Sequence, residues 1–333
     1  MFEITTGVSE IMTGAFVEAG LRDRHMKSKL EYFMNLRARV EARLAELVPA
    51  GAAGDALQES MRHSLLAPAK RVRAVLMMIA ARELGGREDD ALDLACSLEM
   101  LHAASLILDD LPAMDDAETR RGLPANHRVF GEATAILGAI GLMNRAYGVA
   151  AGASGLDQQQ RLDAISVLEW SVGTDGLVRG QNDDLADSRA DMTQAELERM
   201  YARKTGALFA AAAECGAIVA KNPAARAAMR GFGLDLGVGF QILDDVLDAR
   251  CSRDSAGKDV DQDCGRTTFV SLFGVKGAAA LARAKIEGGV TSACMAARAA
   301  GGDGRMLAAF SARLAAAFSD LMPEFQEELV ANG

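Results

Sequence analysis

Proline and aromatic residues are scarce in this chain of 333 residues: there are 6 prolines, and aromatic residues make up 5%. Proline ends helices, so its scarcity leaves long segments free to be helical. Alanine, leucine, methionine and glutamate recur throughout the chain, and all four are strong helix formers. The composition therefore predicts an all-α protein.

Cysteine is also sparse, and long apolar runs are missing. The 5 cysteines are an odd number without a CxxC pair or a zinc-ligand spacing, which argues against a disulfide framework and a structural zinc site. No stretch approaches the roughly 20 uninterrupted apolar residues of a transmembrane helix. The first residues, MFEITTGVSE, lack the basic start and apolar run of a secretory signal. We therefore expect a reduced, cytoplasmic protein.

Positive charge is in deficit, since the formal net charge is -10. No long basic stripe offsets this deficit, which argues against nucleic acid as a partner. An anionic substrate would have to be captured locally, by clustered Lys and Arg or by a metal ion.

Apolar residues at helical spacing fill most of the chain, and half of all residues are hydrophobic. No change of composition marks a linker, so we predict a single domain over residues 1–333: one large helical bundle, with residues 1–27 as a loose arm. The aspartates at 183 and 184 are interpreted as solvated. The segments with helical spacing are 30–47, 71–84, 91–108, 133–149, 159–177, 194–220, 224–247, 267–285 and 305–330.

Two aspartate clusters lie in otherwise apolar stretches. Carboxylates beside Leu and Ile are costly to bury unless a positive group compensates, and a divalent metal is a strong compensator. The clusters therefore predict a metal site. Their members are Asp109, Asp110 and Asp115 in SLILDDLPAMDD, and Asp244, Asp245 and Asp248 in FQILDDVLD.

The spacing within each cluster predicts its local structure. Asp244 and Asp248 are four residues apart and share one face of a helix. Pro112 interrupts the helical pattern after Asp110, so Asp115 is expected to return from a loop. The two helices are expected to present their carboxylates to each other across a central cavity, as metal sites in helical bundles often do.

Basic residues cluster in short places at predicted breaks or helix ends. Arginine matches phosphate oxygens with a planar fork and lysine offers a compact charge, so the mixture suits a diphosphate group. The clusters are Lys70, Arg71 and Arg73; Arg120 and Arg121; Arg203 and Lys204; and Lys258 with Arg266.

Several strings together resemble the trans-isoprenyl diphosphate synthases, and most of all the bacterial geranylgeranyl diphosphate synthases. These strings are HAASLILDDLPAMDDAETRRG, KTGALF, GFQILDDVLD and GKDVDQDCGRTTF. The resemblance covers residues from about 70 to about 274 and implies an all-α isoprenoid synthase fold, a single large helical bundle around a deep central pocket. Residues 181–184, which follow Gly180, also resemble a secondary motif of the family near that pocket, as an alternative to the solvated interpretation of Asp183 and Asp184. It also implies a prenyltransferase that condenses isopentenyl diphosphate with allylic diphosphates, using several Mg²⁺ ions.

The resemblance implies a role for each site residue. Metal ligands would be Asp109, Asp110, Asp115 and Asp244, with Asp245 and Asp248 orienting water ligands or binding more weakly. The diphosphate of isopentenyl diphosphate would be held by Lys70, Arg73, His102 and Arg121, with Arg71 in the same substrate-binding cluster. The allylic diphosphate would be held by Arg120, Lys204 and Lys258. Thr205 and Gln241 would line the reacting carbons, and Phe240 would lie near the developing cation.

Product length would depend on the residues below the first aspartate motif. Ala104 and Ser105 precede Asp109 by about one helical turn and are both small. Related enzymes that stop at fifteen carbons often carry an aromatic residue at the position of Ala104, so small residues here favour a product of twenty carbons. Apolar walls for the prenyl chain are expected from residues 136–142 and 207–213.

Other functions stay open at this point. A farnesyl diphosphate synthase is the nearest alternative. A class I terpene cyclase uses similar aspartate-bound magnesium but would leave Lys70, Arg73 and Arg121 without a second diphosphate. A noncatalytic regulatory subunit would tolerate decay of the aspartate motifs, which are intact here. The resemblance also implies a homodimer.

Overall fold

The structure is a computed structural model, which describes residues 24–186, 191–254 and 266–319. These residues form helices connected by short turns, and a small antiparallel hairpin. The α-helices are α1 (Arg24–Leu47), α2 (Ala56–Leu65), α3 (Val72–Glu83), α4 (Glu88–Asp109), α5 (Asn126–Phe130), α6 (Glu132–Ala151), α7 (Gln158–Val172), α8 (Leu177–Leu185), α9 (Gln194–Tyr201), α10 (Ala207–Val219), α11 (Arg226–Asp254), α12 (Phe269–Ala299) and α13 (Arg305–Ser319). The remaining elements are β1 (Thr119–Arg120), β2 (Leu123–Pro124), the π-helix Ala202–Gly206 and the 3-10 helix Pro223–Ala225.

The chain divides into two compact units. Unit 1 comprises Met1–Leu168 and Cys215–Asn222. Its core is built around α4, which packs against α1, α2, α3 and α6. Most of α4 is buried, including Leu94, Leu98 and Leu101. This all-round burial explains why α4 is apolar on every side rather than along one stripe. The hairpin of β1 and β2 follows α4 and pairs Arg120 with Leu123.

Unit 2 comprises Glu169–Glu214 and Pro223–Gly333. Its longest packing interface joins α11 and α12. Helix α9 begins with a capping box in which Thr193 and Glu196 satisfy each other's backbone N–H groups. Helix α12 begins in the same way at Thr268 and bends at Gly274, whose φ of 67° is not helical. The caps set where α9 and α12 begin, and the glycine sets where α12 bends.

The all-α prediction is confirmed, and most of the predicted segments are helices. Helices α2, α5 and α8 were not predicted, because they are short and polar or lie beside turn residues. The segment predicted over 159–177 ends earlier, at Val172, since Gly173 and Gly176 follow. The expected N-terminal arm lies largely outside the described residues. That the whole chain forms a single domain stays a prediction.

Helix α4 is the candidate membrane span among the described residues, by length and composition. Within its most apolar window, 72% of the residues are buried inside the protein. This burial is that of a helix in a protein core.

Candidate active site

The first aspartate motif lies at the end of α4, where the chain turns back on itself. Helix α4 ends at Asp109, and Asp110 follows as its C-cap. The backbone N–H of Asp115 donates to the carbonyl oxygen of Asp109 at 2.9 Å, and that of Ala117 donates to Asp110 at 3.2 Å. Asp115 therefore returns from a loop after Pro112, as the sequence predicts.

Asp110 forms an ion pair with Arg120 on β1. The Nε atom of Arg120 donates to Oδ1 of Asp110 at 2.8 Å. Asp110 is 2% exposed. Burial raises the pKa of its carboxyl above the ordinary value, and the charge of Arg120 opposes that rise. The hairpin thus places one predicted diphosphate-binding residue directly against one predicted metal ligand.

Arg73 and His102 also come together as predicted. Nη1 of Arg73 lies 3.1 Å from Nε2 of His102. A guanidinium can only donate, so Nε2 accepts, and the imidazole is neutral with its proton on Nδ1. Burial, together with the charges of Arg73 and Arg121, holds the pKa of His102 well below its ordinary value.

The guanidinium groups of Arg73 and Arg121, beside His102, also have shifted pKa values. Burial lowers the pKa of Arg73 to about 10 and the pKa of Arg121 to about 10. Both remain charged at neutral pH, because these values lie well above 7. Clustered, desolvated guanidinium groups of this kind form an attractive site for an anion with several charges.

Arg71 differs from the other members of its cluster. It is 3% exposed, and its guanidinium pairs with Glu99 at 3.3 Å. Lys70 is partly exposed in the segment just before α3. The structure therefore places Arg71 inside unit 1, under the segment that carries Lys70 and Arg73.

In unit 2, Lys204 and Thr205 lie in the π-helix between α9 and α10. Oγ1 of Thr205 donates to Oε1 of Gln241 on α11 at 2.8 Å, so the two residues predicted to line the reacting carbons are in contact. The ammonium group of Lys204 donates to Asp184 on α8. A Cβ on Gly180 would lie 2.2 Å from the backbone nitrogen of Lys204, so only glycine permits this approach of α8.

Asp184 corrects the interpretation of the aspartates at 183 and 184. Asp184 is 6% exposed rather than solvated. Asp183 accepts a hydrogen bond from Arg203 at 3.0 Å. The interpretation was wrong because the acidic residues of α8 face cations of the π-helix, a contact that their own sequence neighbourhood does not reveal.

The second aspartate motif lies on α11. Asp244, Asp245 and Asp248 are partly exposed, while Val246 and Leu247 between them are buried. The hydroxyl of Tyr201 donates to Oδ2 of Asp245 at 2.5 Å. Asp244 and Asp248 therefore share a partly exposed face of the helix, as the four-residue spacing predicts.

Apolar groups near these residues are also in place. The ring of Phe240 lies 5.8 Å from that of Phe209, between centroids, in a tilted arrangement. The alanines of 207–213 are buried. The segment 136–142 was expected to form another apolar wall for the prenyl chain. Three of its large side chains face outward instead: Ile136, Leu137 and Ile140 are 39%, 57% and 54% exposed.

The chain-length residues lie on α4 as expected. Ala104 is fully buried and Ser105 is 4% exposed, with the Ser105 hydroxyl donating to the carbonyl oxygen of His102 at 2.9 Å. Lys258 lies outside the described residues. The aspartate motifs belong to different units, and their facing each other across a cavity stays a prediction.

The donors fit magnesium as the family would use it. Among the described residues, no group of three His, Cys, Asp or Glu side chains forms a complete metal cage. Magnesium rarely uses such a cage: it takes one or two carboxylates and completes its shell with water and substrate phosphates. Each motif offers hard carboxylate oxygens beside arginine or tyrosine donors, which suits a metal shared with a diphosphate.

Two residues that contact the predicted site residues were not predicted from the sequence: Glu99 and Tyr201. Glu99 lies three positions before His102 in an apolar stretch of helix. A lone charged residue in such a stretch was the sequence feature that could have indicated a buried partner. Tyr201 lies three positions before Lys204. Neither has a spacing that predicts its partner, because the partners lie on other elements.

An all-helical fold with aspartate motifs on its helices and clustered cations beside them defines a class, the helical enzymes that act on diphosphate esters. The family model "polyprenyl synthetase" matches residues 54–292. The chain belongs to this family and is a prenyltransferase.

Individual relatives agree with this assignment. A geranylgeranyl diphosphate synthase of Pseudescherichia vulneris is 40% identical over 76% of this chain and 82% of that protein. A farnesyl diphosphate synthase of Bacillus subtilis (strain 168) is 38% identical over 67% of this chain and 77% of that protein. The crystal structure of an FPP/GFPP synthase from Zymomonas mobilis superposes with a TM-score of 0.73 at 28% identity, covering 87% of this chain and 99% of that one.

Proposed function

We propose that the protein is a geranylgeranyl diphosphate synthase, which adds isopentenyl units to allylic diphosphates until the product has twenty carbons. The observation that carries the proposal is the 40% identity to a geranylgeranyl diphosphate synthase over most of both chains. The contacts between Arg73 and His102 and between Thr205 and Gln241 support it, because the predicted roles require these pairs to be close.

The first step is ionisation of the allylic diphosphate. The carbon–oxygen bond breaks, leaving an allylic cation and a diphosphate anion. Arg120 and Lys204 meet the negative charge that develops on the leaving group, an interaction that strengthens as the bond breaks. The ring of Phe240 stabilises the cation through its electron-rich face. Buried alanines of 207–213 keep nucleophilic water away from it.

The second step joins the two substrates. Arg73, Arg121 and Lys70 hold the diphosphate of isopentenyl diphosphate so that its double bond attacks the cation. The new carbon–carbon bond leaves a tertiary cation, which loses a proton to restore a double bond. The leaving diphosphate accepts that proton, since the described residues place no dedicated base among the predicted site residues.

Magnesium bound by the aspartates would neutralise diphosphate charge and favour ionisation. Asp109, Asp110, Asp115 and Asp244 would hold it, with Asp245 and Asp248 orienting its waters. The residues of this chain orient those carboxylates through Arg120 on Asp110 and Tyr201 on Asp245.

The experiment that tests the function is product analysis. The purified protein is incubated with Mg²⁺, isopentenyl diphosphate and dimethylallyl, geranyl or farnesyl diphosphate in turn, and the dephosphorylated products are sized by mass spectrometry. A dominant alcohol of twenty carbons supports the proposal. A product that stops at fifteen carbons favours a farnesyl diphosphate synthase. No consumption of isopentenyl diphosphate favours a cyclase or a noncatalytic subunit.

The size of residue 104 tests what limits the product. If Ala104 borders the prenyl chain, Ala104→Phe shortens the product from twenty carbons to fifteen with little change in melting temperature. If Ala104 faces packed core instead, the added ring costs about 1–3 kcal/mol of stability and leaves product length unchanged. Product sizing and thermal unfolding of the same variant separate the two.

We further propose that the enzyme is a cytoplasmic homodimer, with the whole chain as one domain. The exposed apolar residues of α6 support the dimer, since a row of large apolar side chains on a helix surface is typical of an interface.

A further inference from the structure

Glu99 is a buried carboxylate in the middle of α4. It is 2% exposed, although an uncompensated carboxylate is costly to bury. Its Oε2 atom accepts from Nη1 of Arg71 at 3.3 Å, and its Oε1 atom accepts from the backbone N–H of Ala74 at 3.3 Å. Glu99 thus compensates one buried cation and one backbone donor in the first turn of α3.

Arg71 extends this connection to the end of α2. Its Nη2 atom donates to the carbonyl oxygens of Leu65 at 2.6 Å and Ala67 at 3.2 Å. Its φ of 51° is in the left-handed region, which a residue with a side chain adopts only when its surroundings enforce it. The bonds of the guanidinium to α2 and α4 supply that enforcement, and they fix the turn between Lys70 and Arg73.

Glu99 also acts on the cations that border the turn. Its charge favours the protonated forms of Arg73 and Arg121, which burial disfavours. Arg71 and Arg121 repel each other. This buried anion therefore offsets part of the repulsion that would otherwise drive the guanidinium groups apart.

We infer that Glu99 is a positioning residue for the isopentenyl diphosphate site: through Arg71 it holds the turn that presents Lys70 and Arg73, and it does not itself touch substrate. This inference rests on the proposed function. It gives the buried pair a role in affinity for one of the two substrates, beyond any contribution to folding.

Two physical effects of Glu99 have opposite signs, so the direction of the change is informative. If Glu99 acted only through its negative charge, its removal would strengthen the attraction for a diphosphate, and KM for isopentenyl diphosphate would fall. If Glu99 acts by positioning, its removal releases Arg71 and the turn, and that KM rises. A merely structural role would lower the melting temperature and leave KM unchanged.

The test begins with Glu99→Gln, which keeps the size of the side chain and can still accept from Ala74. We expect KM for isopentenyl diphosphate to rise about tenfold, because small displacements of binding groups are costly. We expect kcat and KM for the allylic substrate to stay within about twofold. Titration calorimetry with isopentenyl diphosphate alone should show the same loss of affinity.

Glu214→Gln is the matched control. Glu214 is 3% exposed in α10 and pairs with Arg226 at 3.1 Å and Arg230 at 2.5 Å. It is therefore an equally buried carboxylate among guanidinium groups, with no predicted role in substrate binding. We expect the Glu214→Gln variant to be less stable than the wild type but to have the same KM for isopentenyl diphosphate.

A double variant keeps the test decisive if Glu99→Gln does not fold. Replacing both partners, Arg71→Leu with Glu99→Leu, removes the buried charges together and is expected to destabilise the protein less than removing one charge alone. The positioning role predicts that its KM for isopentenyl diphosphate is still raised. An unchanged or lowered KM in the folded variants, with an active wild type, overturns the inference alone. A wild type that consumes no isopentenyl diphosphate overturns the proposed function.

Discussion

At the scale of single residues, the contact between Arg73 and His102 is the most informative in unit 1. The imidazole accepts from a guanidinium and so must stay neutral, a state that burial and the surrounding positive charges both favour. A protonated His102 would repel Arg73 and lose this hydrogen bond. The pair therefore links the stability of the fold to pH.

We predict that lowering the pH from about 7.5 to about 5.5 destabilises the protein in part through His102. Its pKa in the folded protein lies below the ordinary value of 6.5, so near and below that pH the unfolded chain binds more protons than the folded one. Stability is then complete above the ordinary pKa and declines as the pH falls. Thermal unfolding across this range measures the loss.

His102→Gln is the control for that prediction, because glutamine can accept from Arg73 but does not titrate. The melting temperature of the variant should fall less than that of the wild type over the same range. Equal losses in the two proteins would mean that other groups carry the whole pH dependence.

At the scale of elements, the π-helix Ala202–Gly206 connects several parts of unit 2. It carries Lys204 toward Asp184 on α8 and Thr205 toward Gln241 on α11. Single π-turns inside longer helices are frequent at functional sites, because the extra residue changes the direction of the side chains that follow. Tyr201, just before it, adds the contact with Asp245.

We predict that Tyr201→Phe raises the Mg²⁺ concentration needed for half-maximal activity several-fold. The ring is almost fully buried and lies 5.5 Å from that of Phe269, so the variant keeps its packing and loses the hydroxyl that orients Asp245. The loss of stability should be about 1 kcal/mol. Because activity alone is ambiguous, calorimetric titration with Mg²⁺ in the presence of inorganic diphosphate should show the same weakening.

Tyr32→Phe provides the comparison, since Tyr32 also donates to a carboxylate, that of Glu88 in unit 1. It should change stability by a similar amount without altering the Mg²⁺ requirement. The same Mg²⁺ requirement in Tyr201→Phe and the wild type would contradict a role for Tyr201 in orienting Asp245.

At the scale of the whole molecule, helix α6 exposes large apolar side chains for which the chain itself provides no cover in the described residues. Ile136, Leu137 and Ile140 are exposed at helical spacing and form one stripe. Single exposed apolar residues are ordinary, whereas a contiguous stripe is costly in water. A second copy of the chain is the occupant we propose for it.

We predict that the wild type is a dimer and that Leu137→Glu with Ile140→Glu makes it a monomer, because two buried charges per chain would oppose association. Light scattering after size-exclusion chromatography measures the masses. Leu162→Glu, at a residue on α7 that is 52% exposed, should leave the dimer intact. A double variant that remains dimeric would place the interface elsewhere.

Part of the geometry of the candidate site could be predicted, because it follows from local patterns in the sequence. The loop that returns Asp115 follows from Pro112, and the shared face of Asp244 and Asp248 follows from helical periodicity. Arg71 shows the limit of this reasoning. Its neighbours Lys70 and Arg73 suggest a third substrate-binding cation, but its side chain is buried against Glu99, 28 positions along the chain.

The sequence by itself determined that the protein is helical and where most helices lie, and it predicted which residues carry the chemistry. Helix propensity, periodicity and motif spacing are local properties, so they can be read without a fold. Tertiary structure alone decided which polar side chains pair: Arg71 with Glu99, Lys204 with Asp184, and Tyr201 with Asp245. A buried charge needs a partner, and that partner comes from whichever element packing brings within reach.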